Sequence, residues 1–495
     1  MTARGRTTPK QPKLRAKGGG RRRAAGAKTT RDEPRADVGT EGVRTLRELD
    51  AWIEREGIRF FKIGVFDVDG VLRGKYVDRE KLRSAVDKGF GFCDVVLGWD
   101  AHDALYEGAG VTVSGWHTGY RDAAVRLDLA SLRRIPFEED TLLLIGSFQG
   151  DYADVCPRTL LSRTLDRAEA MGFGVRAAFE YEFFLFDETP ASVRAKGYRN
   201  LEPVTPGMFG YSVLRNSVHA ELYHDLLDAM EGLDCALEGL HTETGPGVIE
   251  AAIRHARGLA AADKAALFKT FTKVFAQRAD LMATFMAKWS DDYPGQSGHL
   301  HLSLCDARSG RNVFHVEGGR FGMSETMERF VAGQVRYLPE LLAMVCSTIN
   351  AYRRLVPGMW APTSATWGVE NRTTAIRVIP GGAGGQRSEY RIAPADGNPY
   401  LVLAAALASG LRGIEEGLAL PDPIEGNAYD DPNARRRPLP VTLREASASL
   451  RGSKMARSVF GDAFVDHYAA TRDWEDEQFR KQVSDWDLAR YFEII

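Results

Sequence analysis

Residues 297–304, SGHLHLSL, alternate strictly between polar and apolar positions. Successive side chains of a strand point to opposite faces. A strand here puts His299, His301 and Ser303 on one face and Leu300, Leu302 and Leu304 on the other. VRAAFEYEFFLFD (175–187) has the same period, with Glu180 and Glu182 opposed to Phe179, Tyr181, Phe183 and Leu185. AAVRLDLASLRRIP (123–136) and TLLLIGSFQG (141–150) also read as strands. FFKIGVFDVDGVLRGKYV (60–77) reads as two strands around the turn Asp67-Val68-Asp69-Gly70.

Helical spacing appears in TLRELDAWIEREG (45–57), where Leu46, Leu49, Trp52 and Ile53 share a face. PRTLLSRTLDRAEAMGF (157–173) has Pro at its start and Gly near its end. A long helix is predicted over 263–286, another over 338–355, and an apolar, buried one over 398–418. The Gly-rich stretch 88–100 reads as a loop, and the last hundred residues as peripheral helices. Strands and helices do not alternate as regular βαβ units, so an antiparallel-rich α+β fold is expected.

Residues 1–31 interrupt this pattern with eleven Lys or Arg, no acid and few large apolar residues. Such a stretch buries too little surface to offset its ordering entropy, so residues 1–42 are expected to form a disordered basic arm. A solvated extension is favoured for it, with an arm that touches nucleic acid or an acidic partner, or a transit peptide, as the alternatives. The remainder divides into a small domain, 43–154, and a larger one, 155–495. The net charge of −2 makes no overall case for nucleic acid. Cys93, Cys156, Cys235, Cys305 and Cys346 are odd in number and widely spaced, pointing to reduced thiols in a cytoplasmic protein. No apolar run approaches the ~20 residues of a membrane span.

The chemistry concentrates after residue 175. Glu180 and Glu182, on one strand face, repel each other unless a cation sits between them; an exposed polar face is the alternative. Glu243 and Glu250 flank a Thr-Gly-Pro-Gly turn that can bring two carboxylates to one point. Glu389 and Arg391 would share a strand face, Arg354 precedes a Pro-Gly turn, and Arg372 and Arg377 follow shortly after. Hard oxygen donors with imidazoles suit Mg²⁺ or Mn²⁺ better than zinc. A divalent metal beside arginines is the apparatus of phosphoryl transfer.

The ordered segments FEYEFF, HTETGPGVIE, SGHLHLSL, RLVPG, NRTTAIR, SEYRIAP and GNPYL resemble those of the glutamine synthetase family from about residue 45 onward. The resemblance implies a β-grasp domain followed by a catalytic domain built on an antiparallel sheet. It implies ATP as co-substrate and two or more Mg²⁺ or Mn²⁺ ions. By position, Glu182, Glu243 and Glu250 match ligands of a first metal, and Glu180, His299 and Glu389 those of a second. His301, Ser303, Glu238 and Arg377 match nucleotide-side positions. Gly295, Arg354 and Arg391 match glutamate-binding positions, and Arg372 the arginine that stabilises the transferring phosphoryl group. The implied reaction forms γ-glutamyl phosphate and then a γ-glutamyl amide, ADP and phosphate. A ring-shaped homo-oligomer, with twelve subunits favoured, is implied as well.

Two departures from the family stand out. Its proton-accepting glutamate, two residues after the Pro-Gly pair, is replaced by Trp360 in PGMWAP. Its ammonium-binding aspartate has no clear match: Asp94 and Asp100 are the candidates, and Asp122 matches a later family aspartate. This combination resembles relatives that ligate glutamate to alkyl-, poly- or arylamines. A glutamine synthetase that uses ammonia and a non-catalytic assembly or regulatory protein are the alternatives.

Overall fold

The computed structural model describes residues 42–108 and 110–495, so the basic arm expected over 1–42 lies almost wholly outside the described residues. Two sheets organise the chain. The first, in the order β2-β1-β5-β4-β3, contains β1 (Phe60–Phe66), β2 (Leu72–Val77), β3 (Phe90–Cys93), β4 (Asp122–Arg134) and β5 (Thr141–Phe148). Its centre is the parallel pair β1–β5, and the helix Arg79–Lys88 buries Leu82 and Ala85, the arrangement of a β-grasp. The helix Leu46–Glu56 opens with Thr45 and Glu48 in a reciprocal capping box and buries Leu49, Trp52 and Ile53.

The second sheet carries the order β12-β13-β14-β11-β6-β8-β7, with β9 and β10 also paired to β6. Its members are β6 (Phe173–Phe186), β7 (Leu237–Thr242), β8 (Val248–Ile253), β9 (Ala256–Arg257), β10 (Met282–Thr284), β11 (Gly298–Asp306), β12 (Trp367–Val369), β13 (Ile376–Ile379) and β14 (Arg387–Tyr390). All pairings are antiparallel except β12–β13. One face of β6 and β11 is core: Leu300, Leu302 and Leu304 are buried, and Phe179, Tyr181 and Phe268 stack in sequence.

Three predicted elements are corrected. The helix expected over 263–286 runs Leu259–Arg278. It stops because Asp280 takes a left-handed conformation, φ 58°, and Leu281 N–H turns back to Ala276 O at 2.8 Å. Residues 282–284 then become β10. The helix expected over 338–355 is two, Glu325–Val345 and Ile349–Arg354, because Thr348 caps the second through Ala351 N–H. The stretch 88–100 is only partly loop, since Phe90–Cys93 pairs with β4.

Polar links join the first sheet's unit to helices of the larger one. Arg158 holds both oxygens of Asp263, at 2.9 and 2.8 Å, and Asp128 of β4 at 2.6 Å. Arg472 bonds Asp69 at 2.8 Å and the Tyr106 hydroxyl at 3.1 Å. His467, fully buried on the helix Asp462–Arg480, meets Leu97 O at 2.9 Å through Nε2.

Burial lowers the His467 pKa from 6.5 to about 4, so this imidazole folds neutral. The unfolded chain binds its proton first as pH falls. The cost is absent above about pH 6.5, grows as pH drops, and reaches about 3 kcal/mol near pH 4. Urea unfolding should therefore show a midpoint that falls between pH 6.5 and 5, and His467→Gln should flatten that slope. An unchanged slope in the variant would remove His467 as its source.

Candidate active site

Strand register brings the polar residues of five strands onto one face. His299 lies opposite Glu180, Glu250 opposite Glu182, and Glu389 opposite both His301 and Arg377. All of these but His301 line a cavity of about 530 Å³ with Glu243, Gly295, Arg354, Trp360, Arg372 and Arg391. A second cavity, about 460 Å³, is lined by Glu238, His301, Ser303, Arg176, His255 and Arg387. Glu180 lines both cavities.

The charges are finely divided. Glu389 accepts from Arg377 Nη1 at 2.9 Å and Arg391 Nη1 at 2.5 Å, and His299 Nδ1 is 3.5 Å away. Burial would raise its pKa, but the guanidiniums of Arg391 and Arg377 beside it hold it at about 2. His299 is kept neutral at ordinary pH by burial and the nearby Arg391. His301 donates from Nε2 to Glu180 at 2.8 Å while its Nδ1 accepts from Arg387 Nε at 3.1 Å. That contact outweighs burial and holds Glu180 far below the usual carboxylate range. Glu250 goes the other way: burial and the crowding of Glu180, Glu182 and Glu243 push it far up.

The predicted metal sets assemble in part. Donor atoms of His241, Glu243 and Glu250 all lie within 4.8 Å of one another. Glu182 instead takes Ser297 N–H at 2.7 Å. In the other set His299 faces Glu389, whereas Glu180 turns to His301. Two buried atoms that could donate to a cation, Glu243 Oε2 and His299 Nε2, have no hydrogen-bond partner. Orphaned lone pairs beside crowded carboxylates fit a hard divalent cation.

Other expectations shift. Asp94 is fully buried in the first sheet's unit, accepts from the Tyr152 hydroxyl at 3.0 Å, and lines neither of these cavities. Its other oxygen, Oδ1, has no hydrogen-bond partner among the described residues. Asp100 is occupied by the N–H groups of His102 and Ala104, both at 2.8 Å. Arg377, matched to the nucleotide side, lines the cavity with Glu389. Trp360 is 57% exposed, so it is not core packing. Sequence reasoning missed His241, Tyr211, His255 and Arg387. His241 alone carried a signal, being two residues from Glu243 on the same strand side.

Arg354 is aimed by its own tethers. Its guanidinium donates to Ile392 O at 3.1 Å and Arg391 O at 3.2 Å. Gly295 packs against it so closely that a Cβ would sit 2.7 Å from Arg354 Cγ and 2.6 Å from Ala287 O.

Comparison with known proteins gives the class of this sheet-borne cluster of carboxylates and imidazoles, faced by arginines and adjoining a second cavity: a carbon–nitrogen ligase. The glutamine synthetase catalytic domain family matches residues 154–491, and the chain belongs to the glutamine synthetase family as a carbon–nitrogen ligase of that type. It is 45% identical to type-1 glutamine synthetase 2 of Dictyostelium discoideum over 441 residues, 88% of this chain and 84% of that protein. It is 38% identical to glutamate–isopropylamine ligase of a Pseudomonas species, covering 92% of this chain and 99% of that protein. The solved complex of GmaS with ADP superimposes with a TM-score of 0.78 at 26% identity, over 90% of this chain and 99% of that one. Among the described residues no helix is long and apolar enough to cross a membrane.

Proposed function

We propose that this ligase couples the γ-carboxylate of glutamate to an organic amine, using ATP and Mg²⁺ or Mn²⁺. The carrying observation is Trp360: an exposed indole stands on the cavity wall where the family places a proton-accepting glutamate. Trp360 cannot accept a proton, but it offers an apolar face to a substituent or a cation. The likeness to glutamate–isopropylamine ligase supports this reading.

In the first step a γ-carboxylate oxygen attacks the γ-phosphorus of ATP and ADP leaves. In the second the amine nitrogen attacks the acyl carbon, the carbon–oxygen bond to phosphate breaks, and the nitrogen sheds a proton. Arg354 and Arg391, locked by backbone carbonyls, hold glutamate. Arg372 faces the transferring group, and Arg377 with Arg391 keeps Glu389 ionised. Glu182, Glu243, Glu250, His241, Glu180, His299 and Glu389 would hold the divalent ions, which when bound neutralise phosphate charge. His301, Ser303, Glu238 and Arg387 would receive the nucleotide. A ring of twelve subunits is proposed as the working assembly.

Phosphate release with ATP, Mg²⁺ and glutamate tests the reading, with ammonia, methylamine, isopropylamine, ethanolamine, putrescine and aniline offered in turn. Turnover with an organic amine and little with ammonia is expected. Ammonia alone would make the chain a glutamine synthetase, the second reading, which the 45% identity to a type-1 glutamine synthetase favours. Silence with every amine would overturn both.

Two variants follow. Trp360→Glu is expected to raise ammonia turnover relative to the organic amine by about tenfold or more, the scale of one positioned general base or less. An unchanged ratio would leave the indole without a role in acceptor choice. Gly295→Ala should displace Arg354 and raise KM for glutamate by about tenfold, with KM for ATP steady. Equal rises in both would indicate a general distortion.

A further inference from the structure

The wall that Trp360 makes has two sides. On its outer side lies a groove of about 550 Å³, lined by Phe321, Val369, Glu370, Asn371, Ile424 and Glu425 among others. The groove and the reaction cavity share two residues, Trp360 and Arg372. A group leaving the reacting centre past Trp360 therefore enters this groove.

The rim is built from backbone that side chains rarely adopt. Phe321, Trp360 and Glu370 are left-handed, with φ of 56°, 57° and 52°, as is Tyr211 across the cavity at 56°. Bulky residues at positive φ are outliers that persist only when their surroundings impose them. Here they turn aromatic rings outward: Phe321 is 39% exposed and Trp360 more so. The floor is fixed. Asn371 Nδ2 donates to Ile424 O at 3.0 Å and Gly426 O at 2.8 Å, and Ile424 N–H donates to Trp367 O at 2.9 Å.

Glu370 pairs with Arg377, and Glu425, exposed on the lining, has no ion pair among the described residues. Phe321, Trp360, Val369 and Ile424 offer the groove its apolar surface. We infer that this groove receives the substituent of the acceptor, which is a primary amine carrying an apolar group of branched-alkyl or ring size. The amino group enters the reaction cavity past Arg372, and the hydrocarbon lies between Phe321 and Trp360. This assignment rests on the organic-amine reading above.

The test is kcat/KM for methylamine, isopropylamine, benzylamine and putrescine, in the full-length protein and in Phe321→Ala and Phe321→Leu. Wild type should favour benzylamine over methylamine by about tenfold or more, as burial of several apolar groups requires. Phe321→Ala should raise KM for benzylamine by about tenfold and for methylamine by less than about twofold, and Phe321→Leu should restore most of the loss. Phe321 is half-exposed, so its truncation leaves the core intact. Preference for putrescine, no gain with substituent size, or equal effects of Phe321→Ala on both monoamines would overturn the groove and leave the organic-amine reading standing. Turnover with ammonia alone would overturn both.

Discussion

Arg372→Ala should lower kcat for phosphate release by about a thousandfold while the thermal midpoint stays within a degree or two, the scale at which a single arginine stabilises a transferring phosphoryl group. Its side chain lines the cavity and, among the described residues, forms no ion pair. Folding therefore does not depend on its charge. Its backbone is nevertheless fixed: Arg372 O accepts from Arg391 Nε at 3.2 Å, and Asn371 Oδ1 accepts Thr373 N–H at 2.9 Å. A tethered backbone with an uncommitted guanidinium is a preorganised donor. Arg372→Lys should recover part of the rate, since the charge returns without the planar fork. A loss below tenfold in Arg372→Ala would dismiss the phosphoryl-stabilising role.

Gly333→Ala should destabilise the fold by about 3 kcal/mol or more, at the upper end of what overpacking costs. The helices Glu325–Val345 and Pro399–Glu415 cross backbone to backbone at this point. A Cβ on Gly333 would lie 2.1 Å from Ser409 O and 2.7 Å from Gly413 Cα, and one on Gly413 would meet Arg329 O at 2.1 Å. Backbone on both sides leaves no flexible side chain to give way. A lower urea midpoint, with KM values of the folded fraction unchanged, is the expected result. An unaltered midpoint would show that the helices can part at little cost.

Much of this architecture is legible in the chain. The alternation in 175–187 and 297–304 gives both central strands, and it separates Leu300, Leu302 and Leu304 from His299 and His301 correctly. Helix ends are less legible. Periodicity continues through Leu281, and only the left-handed turn at Asp280, a residue type that tolerates it, ends the helix. Within the site, motif order leads to Glu180, Glu243, Glu250 and Glu389. It does not lead to Arg387, whose value comes from a 3.1 Å contact to a strand 86 residues away. The burial of Asp94 under the Tyr152 hydroxyl is likewise invisible in its glycine-rich stretch, because it depends on a residue 58 positions away.

The strand β6 carries cavity-facing acids and core aromatics on alternate residues, Glu180 and Glu182 between Phe179, Tyr181 and Phe183. Inserting or deleting one residue there would exchange the two sets, sending carboxylates into hydrocarbon and rings into the cavity at once. No single compensating substitution repairs both faces. Length drift among descendants of this chain must therefore collect in connections such as 187–203 and 307–312, while 173–186 keeps its residue count even as its side chains change. The same asymmetry tells an engineer where foreign segments can be grafted and where they cannot.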